Sequence, residues 1–283
     1  MTDFTFVTYA AMPDLDPDDR LALDLLSQRG FDAAAAVWDD AQVHWGDAGI
    51  VIIRSTWDYN VRHDAFLAWA ESVAAVTPLY NPIELVRWNL HKRYLADLSD
   101  SGVPIVPTRW LRRGEPADLR AQLRHAGWER GVVKPGIGLS THGVRRVTGT
   151  PEDQAHVDEL LQSHDVMLQP YVSSVEDYGE RSLIFIGGVY SHAARKTAFQ
   201  ALLPAGLAGE TPAEASGAEI AVASKAMRAL PAPALYARVD LVHDEAGDPL
   251  VIECELIEPT LFLSMHPRAA GRFAGALEGL AAA

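Results

Sequence analysis

The 283-residue chain is 48% hydrophobic and has a formal net charge of −14. That apolar content can bury a large core, as one multi-part enzyme or about two domains; the acidic balance argues against a nucleic-acid binder or a protein held to a membrane by a basic face. With one cysteine (Cys254) no internal disulfide can form, the first residues have no basic or apolar secretion segment, and no apolar run reaches the ~18 residues of a spanning helix, so a cytoplasmic protein with no nucleic-acid or membrane partner is expected.

Residues 4–9 are a short apolar run that suits a buried strand. Asp16-Pro17 supplies an N-cap and a first-turn proline for a helix carrying Leu21, Leu25 and Leu26, and Gly30 stops it. Residues 31–38 form a weaker second strand because of the four alanines at 33–36, and Gly49-Ile50-Val51-Ile52-Ile53-Arg54 is the clearest strand. Ser55-Thr56-Trp57-Asp58-Tyr59-Asn60 follows, then a helix with Phe66, Leu67 and Trp69. This alternation predicts a parallel, doubly wound sheet, whose ligands sit beyond the carboxyl ends of the strands. Trp57, Asp58 and Tyr59 are therefore candidates for a substrate pocket; the alternative is an Asp58 helix cap between two core aromatics. One helix is expected over 83–101, closed by Gly102-Val103-Pro104. The expected fold is α/β and α+β: a parallel-sheet domain at 1–83, a small α+β subdomain with its connecting helix at 84–165, and a larger antiparallel-sheet subdomain at 166–283. The stretch 202–218, rich in Ala, Gly, Glu and Pro, reads as a surface loop or lid.

The strongest chemical pattern lies near the C-terminus. Tyr236-Ala237-Arg238-Val239-Asp240-Leu241-Val242 and Val251-Ile252-Glu253-Cys254-Glu255-Leu256 alternate with period two around a turn-rich segment. A hairpin centred between Ala246 and Gly247 puts Asp240 opposite Glu253 and Arg238 opposite Glu255. Carboxylates facing one another in a sheet need neutralising, and Mg²⁺ held together with nucleotide phosphates does this, with Mn²⁺ the other ion such a set takes. A solvated strand face is the alternative. In this pattern Cys254 points away from its acidic neighbours and reads as a small buried residue. A second pattern, Gly131-Val132-Val133-Lys134-Pro135-Gly136-Ile137-Gly138-Leu139-Ser140, delivers a lysine from a strand into a glycine-rich segment suited to phosphate, or to a plain hairpin loop. It is neither a Walker A loop nor a dinucleotide fingerprint.

In order along the chain stand Asn89-Leu90-His91-Lys92, Gly102-Val103-Pro104, Val133-Lys134-Pro135, Gln169-Pro170-Tyr171-Val172, Gly179-Glu180-Arg181-Ser182, Arg238-Val239-Asp240 and Glu253-Cys254-Glu255. This ordered set resembles the ATP-grasp superfamily in its glutathione-synthetase-like branch, over residues 83–265 with a pre-grasp domain before it. Arg54-Ser55-Thr56-Trp57-Asp58-Tyr59, Arg87-Trp88-Asn89-Leu90-His91-Lys92 and Glu255-Leu256-Ile257-Glu258-Pro259-Thr260 look most like the cycloserine-synthesis type, the O-ureido-D-serine cyclo-ligases. The resemblance implies ATP with two Mg²⁺ ions on Asp240, Glu253 and Glu255. It implies Lys92 and Lys134 on the nucleotide phosphates beside Gly138 and Ser140, Gln169, Tyr171 and Val172 at adenine, Glu176 or Asp177 at ribose, and Glu180 nearby. Arg238 would stabilise the reacting group. His192, Arg195 and Lys196 sit on an expected strand facing the nucleotide, where Arg195 is the first candidate for phosphate, with Lys196 beside it and His192 a candidate for the amino-acid-like substrate. A homodimer is common in the resembling family. A small-molecule kinase and a non-catalytic ATP-binding module are the other readings. Two departures stand out. Glu255 replaces the usual Asn, and Thr197-Ala198-Phe199-Gln200-Ala201-Leu202 replaces a segment that ordinarily carries Asp-Phe-Arg.

Overall fold

The computed structural model describes residues 2–138, 143–197 and 209–282. Its first unit runs β1 (Phe4–Thr8), α1 (Pro17–Gln28), β2 (Ala33–Val37), β3 (Ile50–Ser55), α2 (His63–Ala74) and β4 (Leu79–Tyr80). The strands lie in the order β2-β1-β3-β4 and are all parallel. Strand alternation decides what each face holds. Phe4, Phe6 and Ile52 pack with Leu23 and Leu26 on one side, while Val7, Val51 and Ile53 meet Phe66, Trp69 and Val73 on the other. The Asp16 carboxylate accepts from the Asp18 N–H to start α1, as its sequence requires. The alanine-rich β2 forms at the sheet edge, where Ala33 and Ala35 need only pack beside α1.

The single helix expected over 83–101 is in fact two, α3 (Ile83–Asn89) and α4 (Tyr94–Asp100). Residues 91–93 leave the helical ladder for a tertiary bond, with the Lys92 N–H donating to Gly136 O at 2.8 Å. Gly136 lets the two segments approach this closely, since a Cβ would stand 2.5 Å from His91 Nε2 and the imidazole would have to move.

β5 (Arg109–Leu111), α5 (Leu119–Ala126), β6 (Gly131–Pro135), β7 (Arg145–Val147), α6 (Pro151–Leu161) and β8 (Val166–Pro170) form the middle unit, with an antiparallel sheet ordered β5-β8-β6-β7. Strand β8, expected to open the large sheet, pairs with β5 and β6 instead, because Val166 and Leu168 complete the apolar core under Leu119, Val133, Val157 and Leu161.

The last unit contains α7 (Ser174–Asp177), β9 (Glu180–Ile186), β10 (Val189–Lys196), β11 (Glu210–Ala213), α8 (Gly217–Arg228), β12 (Tyr236–His243), β13 (Pro249–Glu255) and α9 (Ala269–Ala281), with the sheet ordered β11-β10-β9-β12-β13. Part of the expected loop at 202–218 is ordered as β11, paired to β10, and as the start of α8, while residues 202–208 lie outside the described residues. On one face of this sheet Leu183, Phe185, Ala237, Val239 and Leu241 pack on Leu95, Ala223 and Ala226. The alternate residues, Ser182, Arg238 and Asp240 among them, must then face the other way, toward the cleft between the sheets. Among the described residues no helix is long and apolar enough to cross a membrane.

Candidate active site

A cavity of about 600 Å³ opens between the three units. Its floor is the β12–β13 hairpin, whose register pairs Arg238 with Glu255 and Asp240 with Glu253. A bulge after Asp240 leaves Ile252 unpaired, so the strands beyond it run one position out of step. Bulges increase local twist and occur beside active sites; this one lets the turn close at Asp244–Asp248 while the charged residues stay aligned. Ligand oxygens of Asp240, Glu253 and Glu255 all lie within 4.8 Å of one another. A hard, all-oxygen donor set of this kind suits Mg²⁺ or Mn²⁺ and not the His/Cys chemistry of zinc.

Cations surround the cluster. Asp240 is fully buried and accepts from Ser182 Oγ (2.6 Å), Arg238 Nε (3.0 Å) and Lys196 Nζ (2.5 Å). Lys92 pairs with Glu253, and Arg238 with Glu255. Burial alone would raise the pKa of Asp240, but Arg238 and Lys196 outweigh it and hold the group well below the usual carboxylate range. The same contest, decided for Glu253 by Lys92 and Lys134, brings that residue to about 2. Glu255 goes the other way. Its burial and its acidic neighbours Glu253 and Asp240 raise it despite Arg238. Lys134 projects from β6 into the cavity and makes no hydrogen bond among the described residues; burial lowers its pKa against the pull of Glu253 and Glu180.

Gly138, Gln169, Tyr171, Val172 and Glu180, residues assigned to the nucleotide from the sequence, also line the cavity. Lys92 Nζ donates to Gly138 O at 3.2 Å, and Gln169 Nε2 to Thr108 Oγ1 at 3.0 Å. Trp57 and Tyr59 reach the cavity from the carboxyl end of β3. Ser140 and residues 198–202 lie outside the described residues.

Four expectations are corrected by geometry. Arg195 does not face the cavity: its Nε and Nη2 donate to Tyr178 O (2.7 Å) and Asp177 O (2.9 Å), and the cation that β10 points at Asp240 is the next residue, Lys196. His192 is buried against the backbone, its Nε2 2.9 Å from Leu261 O and 3.1 Å from Phe262 O. Asp58 turns away from the cavity to accept from Trp38 Nε1 (2.9 Å) and to pair with Arg62 (3.2 Å). Neither Glu176, which accepts from the Tyr171 hydroxyl at 2.6 Å, nor Asp177 lines the cavity; Glu180 does, paired with Lys196 at 3.3 Å. Cys254 is fully buried with its thiol pKa raised by burial, as expected of an inert residue.

Asn89, Glu258 and Thr260 also line the cavity and were not singled out from the sequence as site residues; Lys196, weighed there behind its neighbour Arg195, lines it too. Asn89 bonds the β13 backbone like an added strand: its Nδ2 donates to Cys254 O (2.8 Å) and its Oδ1 accepts from the Leu256 N–H (2.8 Å). The only sequence signal for Lys196 was a charged residue on a strand. For Glu258 there was only a third acid beyond Glu253 and Glu255.

Comparison with known proteins gives the family of the chain. A family model described as the N-terminal domain of D-cycloserine synthetase DcsG matches residues 4–81. The cycloserine biosynthesis protein DcsG of Streptomyces lavendulae is 39% identical over 292 residues, with 96% of each chain covered. A crystal structure of D-cycloserine synthetase DcsG superposes with a TM-score of 0.91 at 38% identity, covering 98% of this chain and 99% of that one. D-alanine–D-alanine ligase from Bacillus anthracis shares the fold at 14% identity, with a TM-score of 0.73 and coverage of 100% of this chain and 98% of that one. The chain belongs to the DcsG family and has the fold of ATP-grasp ligases.

Proposed function

We propose that this enzyme is an ADP-forming cyclo-ligase that closes a ring in an amino-acid-like molecule, as in the formation of D-cycloserine from O-ureido-D-serine. The observation that carries this reading is the Asp240–Glu253–Glu255 cluster set against Lys92, Lys134, Lys196 and Arg238 in one cavity. The γ-phosphoryl group of ATP passes to a carboxylate oxygen of the substrate and ADP departs. A nitrogen of the same molecule then attacks the acyl carbon. The new C–N bond forms as the C–O bond to phosphate breaks, inorganic phosphate leaves, and the nitrogen loses its proton. In O-ureido-D-serine this nitrogen also carries the carbamoyl group, whose N–C bond water cleaves to release carbamate, which breaks down to CO₂ and NH₃ and leaves D-cycloserine. Two magnesium ions held by Asp240, Glu253 and Glu255 would supply charge neutralisation at the phosphates. Lys134 and Lys92 approach the phosphate chain from the small sheet and from the α3–α4 break. Gln169, Tyr171 and Val172 border the adenine end. Arg238 and Lys196 face the transferring group, where fixed positive charge lowers the barrier to phosphoryl transfer.

The test is turnover. The enzyme with Mg–ATP and O-ureido-D-serine should release ADP and phosphate together with a product of the mass of D-cycloserine. A stable phosphorylated substrate would mark a kinase, ATP binding with no turnover a binding module, and AMP with pyrophosphate an adenylating enzyme. Each of these results contradicts the proposal.

A further inference from the structure

We propose that Glu258 anchors the ammonium group of the substrate and so makes an α-amino group a requirement of this active site. The proposal rests on the reading above that the ligand is amino-acid-like, and it begins from an imbalance among the acids of the cavity. Asp240, Glu253 and Glu255 each have a cation within ion-pair reach. Glu258 is only 4% exposed and lines the same cavity, yet its carboxyl makes no hydrogen bond or ion pair among the described residues. A buried carboxyl without a partner costs free energy, and a group kept that way inside a cavity is a candidate to meet a ligand.

The backbone around it is built to hold the side chain in place. Leu256 O accepts from Asn81 Nδ2 at 2.6 Å, and Pro259 O from Arg54 Nη2 at 2.6 Å. Between them, Ile257 O lies 2.9 Å from the Tyr236 hydroxyl and Glu258 O accepts from Trp57 Nε1 at 3.4 Å. Arg54 is fixed in turn by Asp19, with its Nε donating at 2.8 Å, so the first domain sets the position of this loop. The backbone on both sides of the Glu258 carboxyl is thus held in place before any ligand arrives, which favours a donor coming from outside.

The surroundings select a cation. Trp57 and Tyr59, which line the cavity beside Glu258, are aromatic walls of the kind that attract an ammonium. Burial first, and then the charge of Glu255, keep the free carboxyl well above its usual 4.5, against the opposing pull of Lys92, Arg238 and Arg54. An incoming ammonium supplies the missing counter-charge.

The test compares two ligands on two proteins by calorimetry in the presence of Mg–AMPPNP: O-ureido-D-serine and 3-(ureidooxy)propanoate, which lacks the amino group, titrated into the full-length wild type and Glu258→Gln. The wild type should bind the amino compound tighter by about 30-fold or more, the loss associated with breaking a buried charge pair, and Glu258→Gln should erase that preference. Retained Mg–AMPPNP affinity reports that the variant is folded; if it is lost, Glu258→Asp, which keeps the charge but shortens its reach, should show a reduced preference. Glu258→Gln weakening both ligands equally, or neither, would overturn the proposal. ADP release by the wild type separates the two readings. Glu258-dependent binding without ADP release sinks ligation and leaves the anchor, while ADP release with binding indifferent to Glu258 sinks the anchor alone. If neither compound binds the wild type, both fail.

Discussion

Neighbouring cations on β10 have opposite fates, and exchanging each for alanine separates chemistry from architecture. Lys196 places its ammonium 2.5 Å from Asp240 and 3.3 Å from Glu180 on the cavity side, 17% exposed. Removing one charged donor aimed at a reacting group costs about 2.7–4 kcal/mol of transition-state stabilisation, so Lys196→Ala should lower kcat roughly 10²–10³-fold. Arg195 instead ties two backbone carbonyls behind the site, Tyr178 O and Asp177 O. Hydrogen bonds from a charged donor are worth about 1.5–3 kcal/mol when buried. One of this pair is exposed, so Arg195→Ala should cost about 1–3 kcal/mol of stability and only a few-fold in kcat. Steady-state ADP release by both variants, with urea unfolding alongside, reads the two effects. A kcat for Arg195→Ala as low as that of Lys196→Ala, or a Lys196→Ala enzyme within about five-fold of wild type, would refute the reasoning.

Other outcomes follow from the same geometry. Asn89→Ala breaks two buried bonds to β13 and leaves Cys254 O and the Leu256 N–H without their partner, so the urea midpoint should fall by the equivalent of about 2–4 kcal/mol with an unchanged m-value. Because each metal-cluster carboxylate already has a cation partner, EDTA should move the thermal midpoint of the nucleotide-free enzyme by less than about 2 °C while abolishing ADP release. Glu258→Gln should make the ligand-free enzyme more stable at pH 8. The folded-state pKa of Glu258 is raised above 4.5, so an ionised Glu258 penalises the fold increasingly as pH rises past that value, and the advantage of glutamine should vanish near pH 4, where the carboxyl is protonated folded or unfolded; an advantage independent of pH in thermal scans would contradict this.

The sequence carried the acidic cluster because period-two alternation and a turn-rich connector are local facts. Even the register of Asp240 with Glu253 came through, although the bulge at Ile252 displaces the hairpin beyond it. Which of Arg195 and Lys196 faces the cavity was not legible. Both sit on one short strand, and the choice depends on β10 pairing with β9, where Lys196 opposes Glu180 and Arg195 opposes Arg181. The break in the 83–101 helix was hidden for a similar reason, since nothing in Leu90-His91-Lys92-Arg93 forbids a helix and the interrupting acceptor is Gly136 O, supplied by another unit. Strand β8 is apolar enough for either sheet, and only its packing on α6 and β6 decides. Asn81 and Asn89 read as a turn residue and a helix end, while their partners lie 155–175 residues away. Glu258 stood in the sequence only as one acid within the stretch 255–260, because its significance lies in having no partner once everything around it has folded.

The most direct measurement follows oxygen. O-Ureido-D-serine labelled with ¹⁸O in its carboxylate is turned over with Mg–ATP, and the released phosphate is analysed by mass spectrometry. Phosphorylation of the carboxylate before ring closure predicts that each phosphate carries one labelled oxygen from the substrate. Unlabelled phosphate accompanying ring formation would contradict the acyl-phosphate route and, with it, the role assigned to the cluster at Asp240, Glu253 and Glu255.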